Sequence, residues 1–338
     1  MNKIPAEVSA AISWLRFPLM FGVVLIHSGI SAGEGYPTLD FIVRLFTQSL
    51  PAFCVPMFMA ISGYLFFAKT TTLTPRVYLD KLRSRGRSLL VPYIFWNAIV
   101  IGCFWAMHRF TPSLINPNFE NVAVYSPLQL LRCFYDGSGG QPIAFQFWFI
   151  RNLMLLVVAS PLIYILFRRT FIGIALFSVL YLLDSVSGLW TAYFFALGAW
   201  AALQKPDFMS FARRYRHHSA KGAAAALCAM MAGQIPGARQ IYILCMITAS
   251  LGFAPLLVAT VRIPERLSQA SFFLFCVHAL PLMLLAKTAS IVLAGRPEWL
   301  WIATYFFNPV FISASAIGLY ALLKTTAPRL TSLITGGR

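Results

Sequence analysis

Two residues whose chemistry conflicts with their surroundings stand in the first apolar run of the chain, residues 12–30. The run is long enough to cross a bilayer, yet it contains Arg16 and His27, and a charged group near the bilayer centre costs about 2.5 kcal/mol or more. Their spacing would place them on one helix face, about 16 Å apart along the axis. Either residue alone could be a snorkelling arginine or a histidine satisfied inside a helix bundle. Together, with Pro18 and Gly22 between them, they favour a polar track through a membrane.

A basic cluster at Lys81–Ser88 is the second group of residues that could carry chemistry. It contains Arg83, Arg85 and Arg87 and leads into the sequence LLVPY at 89–93. In one interpretation these arginines orient the chain and contact lipid headgroups. In the other they bind a ligand with several phosphates, because the guanidinium fork matches phosphate oxygens.

Four further residues are candidates for contacting a substrate. Trp148 and Arg151 are three residues apart and would share a helix face, on which the aromatic ring could stack against a sugar. Ser62, which precedes Gly63, would either line the site or serve close helix packing. His278 could contact the substrate, take part in catalysis, or have a purely structural role.

The composition restricts the protein to a membrane class. The chain has 338 residues, of which 59% are hydrophobic and 11% charged, and its mean hydropathy is +0.73. Soluble domains do not reach such values. The six cysteines fall mostly inside apolar runs without CxxC or metal-ligand spacing, so we expect neither disulfides nor a metal site. The sequence also contains no P-loop, GxSxG or HExxH motif, which excludes the enzyme classes that these motifs define.

Apolar runs recur from one end of the chain to the other, which predicts an all-α integral membrane protein with about ten transmembrane helices. The predicted spans are 11–30, 50–68, 88–107, 146–167, 170–183, 188–204, 221–234, 241–261, 270–293 and 300–323. Residues 1–338 would form one membrane domain without a separate soluble domain. The first run lacks a small-residue cleavage site, so we interpret it as a retained helix and not a signal peptide. The connection 108–145 would be a polar loop with a short interfacial helix near 127–134.

The distribution of Lys and Arg predicts the orientation of these spans. With the N-terminus inside, 19 of the 27 cationic residues fall in inside segments, 5 in outside segments and 3 within spans. The positive-inside rule then places both termini in the cytoplasm. The net charge of +17 is explained by orientation and attraction to lipid, without nucleic acid. No carboxylate is placed to neutralise Arg16 or Arg151, so each needs a water-filled cavity, a backbone partner or an anionic ligand.

Several short segments, taken in order, resemble the acyltransferase-3 family of integral membrane O-acyltransferases. The segments are Arg-x10-His (Arg16 and His27), FMAISGYLF (58–66), the basic run into LLVPY (83–93), FWFI (147–150), YFFALG (193–198) and SFFLFCVH (271–278). Each segment alone is weak, but the combination is specific and extends over nearly the whole chain.

The resemblance implies transfer of an acyl group, in most members acetyl, from cytosolic acetyl-CoA to a carbohydrate hydroxyl. It assigns Arg16 and His27 to the catalytic pair and the basic run to the acyl-CoA site. The chain departs from the family's Arg-x-x-Arg pattern at Ser88, where the second arginine is expected. It also lacks the extracytoplasmic domain of longer members, so a glycan-assembly protein could complete the reaction, or the acceptor could be lipid-linked.

The resemblance and the residues together predict a mechanism. The phosphates of acyl-CoA, a co-substrate and not a resident cofactor, would bind Arg83, Arg85 and Arg87, and its arm would pass Arg16 toward His27. His27 would act as a general base or as an acyl-accepting nucleophile, and both remain open. We expect a multi-pass protein of the bacterial inner membrane. The alternative is a transporter of polysaccharide or lipid-linked sugar without acyl-transfer chemistry.

Overall fold

The computed structural model of the chain describes residues 4–70, 72–114, 121–137, 140–168, 172–182, 189–204, 206–233 and 235–337. All regular elements in these ranges are helical. The α-helices are α1 (Ala6–Ile26), α2 (Pro37–Val43), α3 (Cys54–Phe67), α4 (Pro75–Arg85), α5 (Val91–Phe110), α6 (Pro127–Arg132), α7 (Trp148–Val158), α8 (Ser160–Phe167), α9 (Ile172–Leu182), α10 (Trp190–Gln204), α11 (Phe208–Gly233), α12 (Ala238–Thr260), α13 (Glu265–Val277), α14 (Ala279–Val292), α15 (Glu298–Thr326) and α16 (Pro328–Thr335). The prediction of an all-α protein is therefore confirmed for the described residues.

Short π-helical and 3₁₀-helical segments join some of these α-helices. Arg44–Ser49 and Gly86–Leu90 are π-helical, and Leu50–Phe53 and Phe145–Phe147 are 3₁₀-helical. Pro51 lies where the first π-helix gives way to the 3₁₀ turn, because proline cannot donate the backbone hydrogen bond that would continue the ladder.

Five helical stretches in the described residues are long and apolar enough to cross a membrane, or up to seven if each of two bent pairs is one span. The five stretches are Ala6–Ile26, Pro37–Phe67, Pro75–Phe110, Ala238–Thr260 and Glu298–Thr326. The bent pairs are Phe145–Val158 with Ser160–Phe167 and Glu265–Val277 with Ala279–Val292, each bent by 63°. These stretches match seven of the ten predicted spans.

The remaining three predicted spans, 170–183, 188–204 and 221–234, differ from the described helices. α9 and α10 have 11 and 15 residues, and a perpendicular span needs about 20. The junction between them, 183–188, lies outside the described residues. The number ten and the location of the termini therefore stay predictions.

α11 differs most from the sequence-based expectation. The predicted inside loop before residue 221 is helical from Phe208 and runs without a break into the seventh predicted span. Asp207 begins this helix by accepting a hydrogen bond from the backbone N–H of Ser210. Gly252 of α12 lets the two helices approach so closely that a Cβ at this position would lie 2.8 Å from the carbonyl carbon of Ala212. The basic residues of this segment therefore lie on a helix that packs against α12, and not in a loop.

The described chain divides into two compact units, each assembled from three segments distant in sequence. The first unit comprises Met1–Ile26, Val43–Asp80 and Leu156–Ser268. The second unit comprises His27–Ile42, Lys81–Leu155 and Gln269–Arg338. The prediction of a single domain over 1–338 stays a prediction.

The first unit has an apolar cluster around the start of α1. Val8, Ala11 and Ile12 of α1 are buried together with Met209 and Ala254. Ala11 and Ala254 are the small side chains of this cluster, and small residues let helices of different sequence regions pack closely. Hydrogen bonds at the edge of the cluster supplement it, including one from the Trp14 indole N–H to the Val261 carbonyl, 2.9 Å long.

The second unit is held by contacts between its N-terminal and C-terminal segments. The carboxylate of Glu298 accepts a hydrogen bond from the Leu39 N–H, 2.9 Å long, and thereby caps α2. The indole N–H of Trp96 donates to the Ile334 carbonyl at 2.9 Å, which attaches α16 to α5. These contacts keep the segment that begins at His27 beside the C-terminal helices of the same unit.

Candidate active site

His27 is the residue immediately after α1, and it belongs to the second unit. Its imidazole is half-buried and contacts two rings. The Phe145 ring contacts it in a T-shaped arrangement with 5.1 Å between ring centroids, and the His278 ring lies at 5.2 Å with the planes tilted by 41°. The two histidines that sequence reasoning singled out, 251 positions apart, are therefore neighbours.

His278 stands at the break between α13 and α14, where the helix axis bends by 63°. Pro281 explains the break, because it cannot donate a hydrogen bond to the carbonyl of Val277 and its ring clashes there.

The His278 ring contacts two backbone carbonyls of the preceding helical turn and is completely buried. Its Nδ1 lies 2.9 Å from the carbonyl oxygen of Phe275 and 3.1 Å from that of Leu274. Since a carbonyl oxygen only accepts, Nδ1 must carry the proton. The neutral ring then has a lone pair on Nε2, which is buried and has no hydrogen-bond partner in the described part of the chain.

Two buried amide side chains, which sequence reasoning did not identify, hold the 3₁₀ turn that carries Phe145. Asn97 is fully buried in α5, and its oxygen accepts a hydrogen bond from the Ala144 N–H at 3.3 Å. Gln146 is buried in the turn and donates to the Cys276 carbonyl at 3.1 Å. The signal in the sequence was an amide in each of two strongly apolar segments, since a buried amide must be hydrogen-bonded.

Arg151 of α7 binds backbone, which is one of the three possibilities left open by its sequence context. Its Nη1 donates to the carbonyls of Tyr135 and Gly140, at 2.6 and 2.7 Å. Its guanidinium carbon also lies 5.0 Å from the centroid of the Tyr135 ring, within cation–π range. Arg151 thus fastens the polar loop to α7. Trp148, one turn earlier, is half-buried.

The three arginines of the basic run differ in secondary structure and in exposure. Arg83 and Arg85 end α4, whereas Arg87 lies in the π-helical turn Gly86–Leu90. Arg83 and Arg87 are exposed and four residues apart, which places them on neighbouring turns of one face. Arg85 is half-buried. Arg83 and Arg87 are therefore the two more exposed arginines of the run.

Arg16 and Ser62 belong to the first unit. Arg16 is exposed on α1, which is one continuous helix from Ala6 to Ile26 despite Pro18. Ser62 is half-buried on α3 and adjoins Gly63, which packs against α10. The other predicted site residues all belong to the second unit, and within it the structure brings His27 and His278 into direct contact.

A comparison with protein families identifies the family to which the chain belongs. A family model described as an acyltransferase domain matches residues 9–319 of the chain. The match covers nearly the whole chain, so the protein belongs to the acyltransferase-3 family.

A curated relative extends the comparison to a single protein. The chain is 26% identical over 363 residues to the succinoglycan biosynthesis protein ExoH of Rhizobium meliloti (strain 1021), which covers 98% of this chain and 93% of the relative. No solved structure matches the chain significantly.

Proposed function

We propose that the protein transfers an acyl group, with acetyl as the first candidate, from cytosolic acyl-CoA to a hydroxyl of an exopolysaccharide or its lipid-linked precursor. The observation that carries this proposal is the family match over 9–319, combined with a histidine that contacts the rings of Phe145 and His278 at the end of α1. Support for a polysaccharide acceptor comes from a relative named for succinoglycan biosynthesis. We place the reaction in the bacterial inner membrane, where such precursors are assembled.

The proposed chemistry uses the lone pair of neutral His27. One ring nitrogen takes the proton from the acceptor hydroxyl while the hydroxyl oxygen forms a bond to the thioester carbonyl carbon. The carbonyl π electrons move to the oxygen and give a tetrahedral oxyanion. When the oxyanion collapses, the carbon–sulfur bond breaks, and the leaving thiolate receives the proton from the His27 imidazolium. The products are an ester and free CoA thiol.

We assign the cationic residues to two parts of the acyl donor. Arg83 and Arg87, with Arg85, would bind the phosphates through charge-assisted hydrogen bonds. Arg16 would stabilise negative charge on the donor or on the tetrahedral oxyanion. Both assignments follow the family resemblance and the chemistry of guanidinium groups. Trp148 would stack on the acceptor sugar.

The matched pair His27→Ala and His218→Ala tests the proposal, because His218 is an exposed histidine on α11. The assay measures transfer of labelled acyl groups from acetyl-CoA or succinyl-CoA to glycan in membrane vesicles. We expect His27→Ala to lower the rate by about 10²- to 10⁴-fold, the range of general-base catalysis. His218→Ala should behave as the wild type. Full activity in His27→Ala protein that remains folded would refute the assignment, and transport of unmodified glycan alone would favour a permease.

A second experiment separates the two roles of His27. Wild-type protein is mixed with labelled acyl-CoA in the absence of any acceptor. A nucleophilic histidine would form an acyl-imidazole, so label would stay on the protein and be absent from His27→Ala. A general base would leave the protein unlabelled, and this is the result that we expect.

A further inference from the structure

The feature that the proposed function leaves unexplained is the free lone pair of His278. A buried polar atom without a hydrogen bond costs about 1–3 kcal/mol, and native proteins rarely leave one unpaired. His278 Nε2 is such an atom, and its ring is completely buried. A partner that donates a hydrogen bond to Nε2 would remove this free-energy cost.

The orientation of the His278 ring is already determined by the backbone. The contacts of Nδ1 with the carbonyls of Leu274 and Phe275 fix both the tautomer and the ring plane. Nε2 is therefore an obligatory acceptor in the neutral ring, and the partner must bring the hydrogen.

His27 is a donor within reach of this acceptor. The centroids of the two rings are 5.2 Å apart. Two imidazoles joined by one N–H···N bond have centroids about 5 Å apart, because the nitrogens are about 2.9 Å from each other and each lies about 1.1 Å from its centroid. His278 is fixed and His27 is half-buried, so rotation of the His27 ring about its Cβ–Cγ bond is the movement that would form this bond.

We propose that His278 is a positioning residue, whose Nε2 accepts a hydrogen bond from a ring N–H of His27 and thereby directs the other nitrogen of His27 toward the acceptor hydroxyl. This inference rests on the proposed function. One His27 nitrogen keeps its proton in the bond to His278, and the other offers the lone pair that removes the proton from the hydroxyl. The arrangement resembles the way in which an acid orients the histidine of a hydrolase triad, with a neutral imidazole replacing the carboxylate.

The same hydrogen bond would act during the reaction. After proton transfer His27 is an imidazolium, whose N–H groups are stronger donors than those of the neutral ring. His278 would then stabilise the charged ring without becoming protonated itself. Phe145, in the turn held by the buried Gln146, contacts the His27 ring in a T-shaped arrangement.

Two substitutions at position 278 distinguish positioning from packing. His278→Asn keeps a donor near the Nδ1 position and removes the acceptor at the Nε2 position, whereas His278→Gln keeps an acceptor there. We expect His278→Asn to lower kcat about 100-fold with unchanged KM for both substrates, less than the roughly 10⁴-fold loss when a triad carboxylate is removed. His278→Gln should retain kcat within about tenfold of the wild type, because it conserves the acceptor. Equal losses in both variants, an unchanged kcat in His278→Asn, or a loss confined to the KM of the acceptor would each overturn the proposal.

A measurement that needs no activity separates this inference from the proposed function. The chain has five histidines, so a protein labelled with ¹⁵N-histidine in bilayers has a simple spectrum. We expect a through-hydrogen-bond coupling between His278 Nε2 and one His27 nitrogen, which disappears in His278→Asn. Its absence from the wild type would overturn the positioning role even if acyl transfer is observed. Its presence in a protein that uses no acyl-CoA would instead refute the proposed function alone.

Discussion

Replacing Gly63 with alanine places a methyl group against the backbone of a neighbouring helix. Gly63 of α3 faces α10, where a Cβ would lie 2.9 Å from the carbonyl carbon of Phe195 and closer still to its oxygen. The contact is reciprocal, since a Cβ at Gly198 of α10 would lie 2.7 Å from the backbone nitrogen of Tyr64. The obstacle in both cases is backbone, which cannot rotate away as a side chain can.

The size of the effect follows from this distance. Ordinary van der Waals contact begins at 3.4 Å, and the Phe195 oxygen lies closer to the new Cβ than the carbonyl carbon does. To admit the methyl group past this oxygen, α3 and α10 would have to move apart by roughly 1 Å or more. A gap of about 1 Å already removes about half of the dispersion energy of the contacts that it opens. Overpacking a core costs about 1–3 kcal/mol and sometimes more, and we expect Gly63→Ala to lie at the upper end, near 3 kcal/mol.

The matched control is Gly102→Ala on α5. A Cβ at Gly102 has no atom within 4 Å, and alanine is the better helix former by about 1 kcal/mol. The assay is thermal unfolding of the purified protein in detergent. Its readout is the fraction of the protein that remains monodisperse at each temperature. We expect Gly63→Ala to melt several degrees lower and Gly102→Ala to match or exceed the wild type. Equal melting temperatures for Gly63→Ala and the wild type would refute the close packing of α3 on α10.

The remaining predictions concern the basic run and the polar loop. Changing Arg83 and Arg87 together to glutamine should raise the KM for acyl-CoA about tenfold, because two phosphate contacts of about 1 kcal/mol or less each are lost. Arg76→Gln, at an exposed position of α4, should leave the KM for acyl-CoA unchanged. Equal KM values for the double variant and for Arg76→Gln would contradict the phosphate role. Arg151→Lys should speed hydrogen exchange of the loop amides about 10-fold or more, since lysine cannot hold both loop carbonyls as the guanidinium does. Arg132→Lys, exposed on α6, is the control, and slow exchange in both variants would show that Arg151 does not fasten the loop.

Local sequence determined the class of the protein and most of its helices. A bilayer requires about 20 apolar residues per span and internally satisfied backbone, so composition and hydropathy alone exclude a soluble fold. The short helix α6 was predictable as well, because Ser126 and Gln129 form a capping box at its start. Both conclusions depend on interactions within a few residues.

Local sequence was less informative where the hydropathy or charge of a segment disagrees with the length of the helix that it forms. The apolar segments of α9 and α10 suggest spans, but their helices are short. The basic segment after Asp207 suggests a loop, but its alanines and its packing on Gly252 continue α11 through it. Helix propensity and a distant partner together outweigh the polarity of the side chains there.

The candidate site shows where the sequence by itself stops and tertiary structure decides. The sequence determined which residues were chemically conspicuous, since Arg16, His27, Arg151 and His278 are polar groups in apolar runs that need a reason to be there. It could not show that His27 meets His278, because contacts between residues 251 positions apart depend on packing and leave no periodic signal. Only the fold shows that Nδ1 of His278 meets the carbonyls of Leu274 and Phe275, and that Nε2 has no hydrogen-bond partner among the described residues although it lies beside His27. A tautomer is determined by hydrogen-bond partners in space, which the sequence does not show.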